Sequence, residues 1–163
     1  MFTGEYRHSL DAKKRIFIPS KFRDVLGTSF VICRDPIEPC LKVYPEDVWK
    51  AYVAKYEREP EDCEDDDFDE DDDWSADEAR ARVLRFLYRE MIDGETDAQG
   101  RVTLTDSLIA RAEITKDAIF VGCGRYGEIW SAENYAEKID KENVGGIATD
   151  MRRLKKMAKR AKA

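Results

Sequence analysis

The sequence predicts an α+β protein, mainly β, that is built from two internal repeats. Residues 11–19 form a charged pattern that returns as residues 97–105, at an offset of 86 positions. Around the first copy, Tyr6, His8 and Leu10 fall on alternate positions before the turn, and Ile16 and Ile18 do so after it, which is typical of strands. Two long copies favour two half-folds around a pseudo-two-fold axis over a solenoid, which stacks many shorter units. The same offset aligns distant positions: Phe22 with Leu108, Val43-Tyr44 with Ile129-Trp130, and Trp49 with Tyr135.

Each copy of the pattern predicts two strands joined by a tight turn. Asp11 and Asp97 favour turns because an aspartate carboxylate can accept hydrogen bonds from the backbone just ahead. Gly100 provides a positive φ at little cost. Lys14 stands at the matching place in the first copy. The first turn is therefore expected either to carry some backbone strain or to adopt another geometry.

A short helix and a hairpin follow the first turn. The helix is predicted over residues 20–27, with Ser20 as its N-cap and Gly27 just after its end. Residues 30–33 are uniformly apolar and predict a buried strand, and residues 40–44 predict its hairpin partner.

A helix from about residue 45 to residue 58 completes the first repeat. Pro45 suits the first turn of a helix. Trp49, like Trp130 in the second repeat, is predicted to lie in the core rather than to stack on bases. The predicted apolar face recurs at helical spacing: Val48, Trp49, Tyr52, Val53 and Tyr56.

An acidic insertion separates the two repeats. Residues 57–78 contain 15 acidic residues and one arginine, a net charge of −14 in a chain whose total is −7. Residues 59–74 are too polar to bury the apolar surface that an ordered segment requires, which predicts a solvated acidic loop. An alternative is a nucleic-acid mimic that competes for the basic surface. Metal binding by this run would be loose, because nothing fixes a coordination geometry.

The second repeat begins with a helix and two strands. Ser75 and Glu78 form a capping box, which predicts a helix that runs to about Arg89. Strands are predicted over residues 91–96 and 101–105, on either side of the second turn.

The remainder of the chain is predicted to contain a hairpin and helices. A short helix is expected around residues 107–112, and hairpin strands over 118–122 and 126–130. Ser131 is predicted to cap a helix that runs to about Lys141. Gly145-Gly146 predicts a break, and residues 147–160 predict a basic amphipathic helix.

The positive charge is concentrated in two regions. Residues 1–34 carry seven basic and three acidic residues, and residues 144–163 carry seven basic residues and one aspartate. Such segregation is typical of a protein that binds anions such as nucleic acid.

Several function classes are disfavoured. No apolar run approaches the ~20 residues of a membrane span, and no secretory leader is present. No nucleophile elbow, phosphate-binding loop or dinucleotide fingerprint appears, so we predict a non-enzyme without cofactor or small-molecule substrate. His8 is the only histidine, and the cysteines lack C-x-x-C spacing, which disfavours zinc and indicates thiols in a reducing cytoplasm. The cysteines are Cys33, Cys40, Cys63 and Cys123.

The first turn and its flanks are the predicted DNA-binding surface. A two-stranded ribbon can enter the major groove, where an arginine can contact guanine while lysines contact phosphates. The second turn is surrounded by acids, so Arg101 is predicted to be mainly structural. The alternative for both turns is a lock, in which Asp11 pairs with Arg15 and Asp97 with Arg101. The predicted contact residues are Arg7, Lys13, Lys14, Arg15 and Lys21.

These motifs resemble the MraZ family of bacterial transcriptional regulators, which carry two SpoVT/AbrB-type domains in tandem. The resemblance covers roughly residues 1–56 and 79–140 and departs from the family in four places. Lys14 replaces a glycine, Thr105 stands where proline is common, and residues 57–78 and 144–163 are unusual. The matching motifs are Met1-Phe2-x-Gly4-Glu5-Tyr6, the two Asp-x-x-x-Arg turns, Ile18-Pro19-x-Lys21-Phe22-Arg23, Tyr44-Pro45-x-x-x-Trp49, and Val121-Gly122 with Glu128-Ile129-Trp130.

The resemblance implies a swapped-hairpin β-barrel with peripheral helices, in a ring-shaped homo-oligomer. It also implies binding of double-stranded DNA at repeated boxes upstream of the division and cell-wall operon, by a cytoplasmic, nucleoid-associated protein. The alternative is an antitoxin-like or other protein-binding module of the same half-fold. The predicted segments are a first repeat (1–56), the acidic insertion (57–78), a linking helix with the second repeat (79–143), and a basic tail (144–163).

Overall fold

The computed structural model describes residues 1–57, 75–142 and 144–163. The loop predicted over residues 59–74 and Cys63 lie outside the described residues. The strands are β1 (Glu5–Ser9), β2 (Arg15–Phe17), β3 (Phe30–Arg34), β4 (Cys40–Pro45), β5 (Ile92–Gly94), β6 (Arg101–Thr103), β7 (Asp117–Gly122) and β8 (Gly127–Ser131). The helices are α1 (Ser20–Leu26), α2 (Glu46–Glu57), α3 (Ala76–Arg89), α4 (Asp106–Arg111), α5 (Ala132–Asn134), a π-helical segment (Tyr135–Ile139) and α6 (Val144–Arg160).

The chain has an α+β fold in which antiparallel strands predominate. Six strands form one sheet in the order β1-β7-β8-β4-β3-β5, and β2 pairs with β6 in a separate two-stranded ribbon. Both hairpins predicted from apolar runs are confirmed, as β3–β4 and β7–β8.

Strand pairing links the two halves of the sequence. β1 pairs with β7, β5 pairs with β3, and β4 pairs with β8 at the centre of the sheet. The ribbon also joins the halves, because Ile16 on β2 lies opposite Val102 on β6. Each half therefore forms one hairpin of its own but depends on the other half for the remaining strand pairings.

Apolar clusters cover both faces of the large sheet. Alternate strand residues point to opposite faces, so Ile32 joins the cluster under the ribbon, and Val31 joins the cluster under α2 and α3. The ribbon contributes Ile16 and Val102 to the first cluster, and both are buried. Trp49 and Trp130 are buried too, which confirms the prediction that they are core residues.

Two of the predicted helix starts differ in the structure. Ser20 is not the N-cap of α1: that position is taken by Pro19, and no side chain caps the helix. Pro45 is not in a helix but ends β4, opposite Phe30. A proline is tolerated at a strand end because its missing N–H removes no essential ladder bond there.

The end of the chain differs from the prediction in two ways. The Ser131 hydroxyl accepts a hydrogen bond from the Asn134 N–H, as a cap should, but α5 is only three residues long and passes into the π-helical segment. Gly145 and Gly146 do not interrupt the helical structure; they lie in the first turn of α6. First-turn N–H groups have no intrahelical partner in any helix, so glycine costs less there than mid-helix.

α6 lies exposed along its length, including its large apolar side chains. No helix among the described residues is long and apolar enough to cross a bilayer.

Candidate nucleic-acid interface

The two Asp-x-x-x-Arg turns have the same hydrogen-bond pattern. The Asp11 carboxylate accepts from the Lys13 N–H at 2.8 Å, from the Arg15 N–H at 2.9 Å and from the Arg15 Nε at 2.8 Å. The Asp97 carboxylate accepts the equivalent three bonds from Gln99 and Arg101, each at 2.9 Å. The predicted aspartate–arginine lock is therefore present in both turns.

The backbone conformation of the two turns is also the same. Lys14 has a φ of +63° and Gly100 a φ of +79°. Of the two expectations for the first turn, backbone strain is the one observed, since a lysine with a Cβ occupies a left-handed conformation that glycine adopts freely. The turns also bond the opposite half, because the Lys14 carbonyl accepts from the Leu104 N–H and the Gly100 carbonyl from the Ile18 N–H.

Pairing of β2 with β6 brings both arginines onto one surface. Arg15 lies opposite Thr103, and Phe17 lies opposite Arg101. Because the intervening Ile16 and Val102 point into the core, these four side chains point outward. We call Arg15, Phe17, Arg101 and Thr103 the ribbon face. Its two arginines are diagonal neighbours across the strand pair, a separation of about 7–8 Å between Cα atoms in antiparallel sheets.

The lock leaves each arginine with unused donors. A guanidinium has five N–H groups, and the bond to aspartate engages the one on Nε. The Nη groups of Arg15 make no ion pair among the described residues. Nη1 of Arg101 lies 3.9 Å from the Asp11 carboxylate, and its guanidinium lies over the Phe17 ring at 5.9 Å. Arg15 therefore has the freer donors, although both side chains are partly buried.

The turn carboxylates are held in their charged form. Backbone hydrogen bonds from Arg15 and Arg101 lower the pKa values of Asp11 and Asp97, and the arginine side chains lower them further. Each aspartate therefore offsets the charge of its own arginine. The net positive charge of this surface must come from lysines nearby.

The structure distributes the other predicted contact residues differently. Arg7 forms an ion pair with Asp117 at 2.8 Å, and Lys14 forms one with Asp106. Lys13 and Lys21 are exposed and make no ion pair within the part of the chain that the structure describes. The sequence thus places five basic residues near the first turn, and two of them are available without breaking a pair.

Three features of the site were missed from the sequence. The Lys14–Asp106 pair joins residues from different repeats, which no local pattern reveals. The Arg23 guanidinium lies against the second turn, where a Cβ on Gly100 would approach its Nη1 to 2.4 Å. The outward position of Phe17, 44% exposed, could have been found, because Ile16 and Ile18 on either side of it point inward.

Comparison with known proteins adds to this geometry. A family model described as "MraZ protein, putative antitoxin-like" matches residues 1–71 and 89–156. A protein of Ligilactobacillus salivarius named Transcriptional regulator MraZ is 37% identical over 153 residues, which cover 93% of this chain and 96% of the relative. The chain belongs to the MraZ family.

Other MraZ relatives align with similar coverage. The Clostridium acetobutylicum protein of the same name is 37% identical over 94% of this chain and 99% of its own length. The one from Lactiplantibacillus plantarum is 39% identical over 84% of this chain and 86% of its own length. The family assignment therefore covers both repeats and both Asp-x-x-x-Arg turns.

The described residues contain no cluster suited to a metal ion and no reactive thiol of low pKa. No three His, Cys, Asp or Glu side chains among them lie close enough together to hold a metal ion. Cys33, Cys40 and Cys123 are free thiols, and burial raises the pKa of Cys33 to about 12. A thiol with so high a pKa is a poor nucleophile near neutral pH.

Proposed function

We propose that this protein is a sequence-specific, DNA-binding transcriptional regulator. The observation that carries the proposal is the ribbon face, where two arginines, each oriented by an aspartate, stand on a two-stranded antiparallel ribbon. A ribbon of this kind fits the major groove of B-DNA. The names of the MraZ relatives, which call them transcriptional regulators, support the same function.

In this proposal Arg15 reads a base and lysines position the ribbon. Arg15 keeps its Nη donors free to approach O6 and N7 of guanine, while Asp11 fixes the orientation of the guanidinium. Lys13 and Lys21 contact phosphates. Arg7 and Lys14 contribute only after exchanging their carboxylate partners, so their effect is smaller. Arg101 supports the ribbon.

We propose the swapped-hairpin β-barrel as the architecture behind this surface. The support is that matching strands pair across the repeats: β1 with β7, and β5 with β3. The proposed organisation keeps a first repeat (1–56), an acidic insertion (57–78), a linking helix with the second repeat (79–143) and a basic tail (144–163).

We further propose that the protein acts as a ring-shaped homo-oligomer. One ribbon face offers few cations, so several must engage one DNA for useful affinity, which multivalency provides. Repeated boxes upstream of the division and cell-wall operon are the proposed target, in the cytoplasm at the nucleoid. No catalytic step, cofactor or membrane is part of this function.

The decisive experiment compares two matched arginine variants in gel shifts. Arg15→Ala should lose specific binding, since one bidentate base contact is worth ~1–3 kcal/mol and the loss repeats in every subunit. Arg101→Ala is the matched control in the other turn. It should lower the melting temperature, and it should weaken DNA binding less than Arg15→Ala does. An Arg101→Ala protein that binds worse than Arg15→Ala at an unchanged melting temperature would contradict this assignment.

The second candidate is an antitoxin-like or other protein-binding module. α6 favours it, because this basic helix exposes apolar side chains at helical spacing: Ile147, Met151, Leu154 and Met157. Sequence preference for duplex DNA at physiological salt separates the candidates. A protein-binding module would show none.

A further inference from the structure

A second group of arginines lies at the C-terminal end of α3, outside the ribbon face. It surrounds a cavity of about 140 Å³ with four guanidiniums and one carboxylate. The lining thus has three positive charges in excess. We call this site the arginine cavity; it is lined by Arg34, Arg82, Arg85, Phe86, Arg89 and Glu90.

One largely buried carboxylate holds the arginines of the cavity together. Glu90 is 11% exposed and lies 3.1 Å from the guanidinium of Arg89, 3.4 Å from that of Arg34 and 3.5 Å from that of Arg111. Burial raises the pKa of Glu90, but the hydrogen bonds and charges of the three arginines outweigh it, and the pKa is lowered overall. The ionised Glu90 neutralises one of these three charges and leaves two without a counterion among the described residues.

Several guanidinium groups of the lining have few acidic partners. The Nε of Arg34 is buried and has no hydrogen-bond partner among the described residues, while its guanidinium lies 4.7 Å from the centre of the Phe86 ring. Arg85 makes no ion pair among the described residues, and Arg82 approaches Glu78 only to 3.9 Å.

We propose that the arginine cavity binds a phosphate group. Phosphate carries the charge that the lining lacks, and its several acceptor oxygens suit the forked donors of arginine. Glu90 holds the guanidiniums in place, and its own charge is more than offset by them. The phosphate comes either from the DNA backbone or from a free phosphorylated molecule. The proposal does not depend on the ribbon face binding DNA.

Calorimetric titration of the full chain with inorganic phosphate, at constant ionic strength in chloride, tests the site. Arg85→Gln should weaken phosphate binding about tenfold, the value of one charge-assisted hydrogen bond. Arg153→Gln on exposed α6 removes the same charge elsewhere and should leave binding unchanged. Arg85 is exposed, so its variant should keep the wild-type melting temperature. Absence of phosphate binding, or equal binding by Arg85→Gln and the parent, would overturn the proposal.

A duplex DNA titration identifies the source of the phosphate. If it is the DNA backbone, Arg85→Gln weakens DNA binding, and phosphate competes more strongly than chloride of equal ionic strength. If it is a free molecule, Arg85→Gln binds DNA like the parent while its phosphate affinity falls. If the protein has no affinity for DNA, the proposed function is wrong, but the phosphate titration still tests the arginine cavity.

Discussion

At the scale of residues, the site is a pair of equal turns with unequal surroundings. Asp11 orients Arg15, and Asp97 orients Arg101, through the same three hydrogen bonds. The two turns differ at their third residue, Lys13 against Gln99, and at their fourth, where a strained lysine stands in one copy and a glycine in the other. That difference is open to direct test.

Replacing Lys14 by glycine should stabilise the protein. A left-handed backbone costs a residue with a Cβ about 1–2 kcal/mol, and a glycine at this position avoids that cost. Part of the gain in stability is offset, because glycine loses more conformational entropy on folding. The Lys14–Asp106 pair is exposed and contributes at most ~1 kcal/mol. We expect a net gain of about 0.5–1 kcal/mol in the free energy of unfolding, measured with urea.

Two control variants bracket this result. Lys14→Ala loses the ion pair but keeps the strained Cβ, so it should be no more stable than the parent. Gly100→Ala introduces the same strain and brings its Cβ to 2.4 Å from the Arg23 guanidinium, so it should be destabilised. A Lys14→Gly protein no more stable than Lys14→Ala would show that the turn is not strained.

The two turn aspartates should make stability depend on acid pH. Their pKa values are lowered in the folded state from an ordinary 3.8, so their contribution is fully present above that value. It is lost as the pH falls through the folded-state pKa, because protons then bind the unfolded chain more tightly. Thermal melts of the parent should therefore drop steeply below about pH 4.

The double variant Asp11→Asn/Asp97→Asn is the comparison for this effect. It should be less stable at neutral pH and should show a flatter dependence in the same acid range. The same slope in variant and parent would mean that other carboxylates, such as the paired Asp117, account for acid unfolding.

At the scale of elements, local signals in the sequence identify most of the fold. The Ser75 N-cap, the two turns and both hairpins depend on neighbours along the chain, and the structure contains all of them. Of the predicted capping box, the structure shows the bond from the Glu78 N–H to the Ser75 hydroxyl. The sequence did not reveal where Pro45 lies, because its pairing with Phe30 is a tertiary contact. It also did not show which distant strands pair, since many registers satisfy the same alternation.

In the candidate site, too, the sequence predicts local contacts but not tertiary ones. The Asp11–Arg15 lock spans four residues, so turn chemistry alone predicts it as one of two alternatives. The pairing of Lys14 with Asp106 depends on how α4 docks beside the first turn, and only the assembled fold shows it.

Thr105 should contribute to stability as the cap of α4. Its hydroxyl accepts a hydrogen bond from the Leu108 N–H at 3.2 Å. Thr105→Ala should lower the free energy of unfolding by about 0.5–2 kcal/mol, the usual value of an N-cap. Ser20→Ala, at the start of the matching helix where no side chain forms a cap, should change it by less than ~0.5 kcal/mol. Equal losses in urea titrations would contradict the cap.

At the scale of the whole molecule, charge and valence decide how DNA would be held. The chain carries a net charge of −7, so its overall field opposes DNA, and binding must come from local basic surfaces. On the ribbon face, each arginine is already offset by an aspartate. Useful affinity for DNA must therefore come from the ribbon faces of several subunits together.

A single subunit should bind one DNA box weakly, near the ~10⁻⁴–10⁻⁶ M of non-specific complexes. Light scattering should show a multimer, and affinity should rise steeply with the number of boxes because bound copies share one duplex. DNA duplexes with one box, with several boxes and with scrambled boxes of equal length form the matched set. A monomer that binds one box tightly would contradict this expectation.

The pairing of β2 with β6 has a consequence for synthesis on the ribosome. Arg15 and Arg101 begin the two strands of the ribbon, and 86 residues separate them. At ~5–20 residues per second, β2 waits about 4–17 s for its partner to be translated. During that interval the apolar Ile16 and Ile18 of the nascent chain have no lasting cover. Each newly made copy is therefore exposed to aggregation and to chaperones before its ribbon face exists.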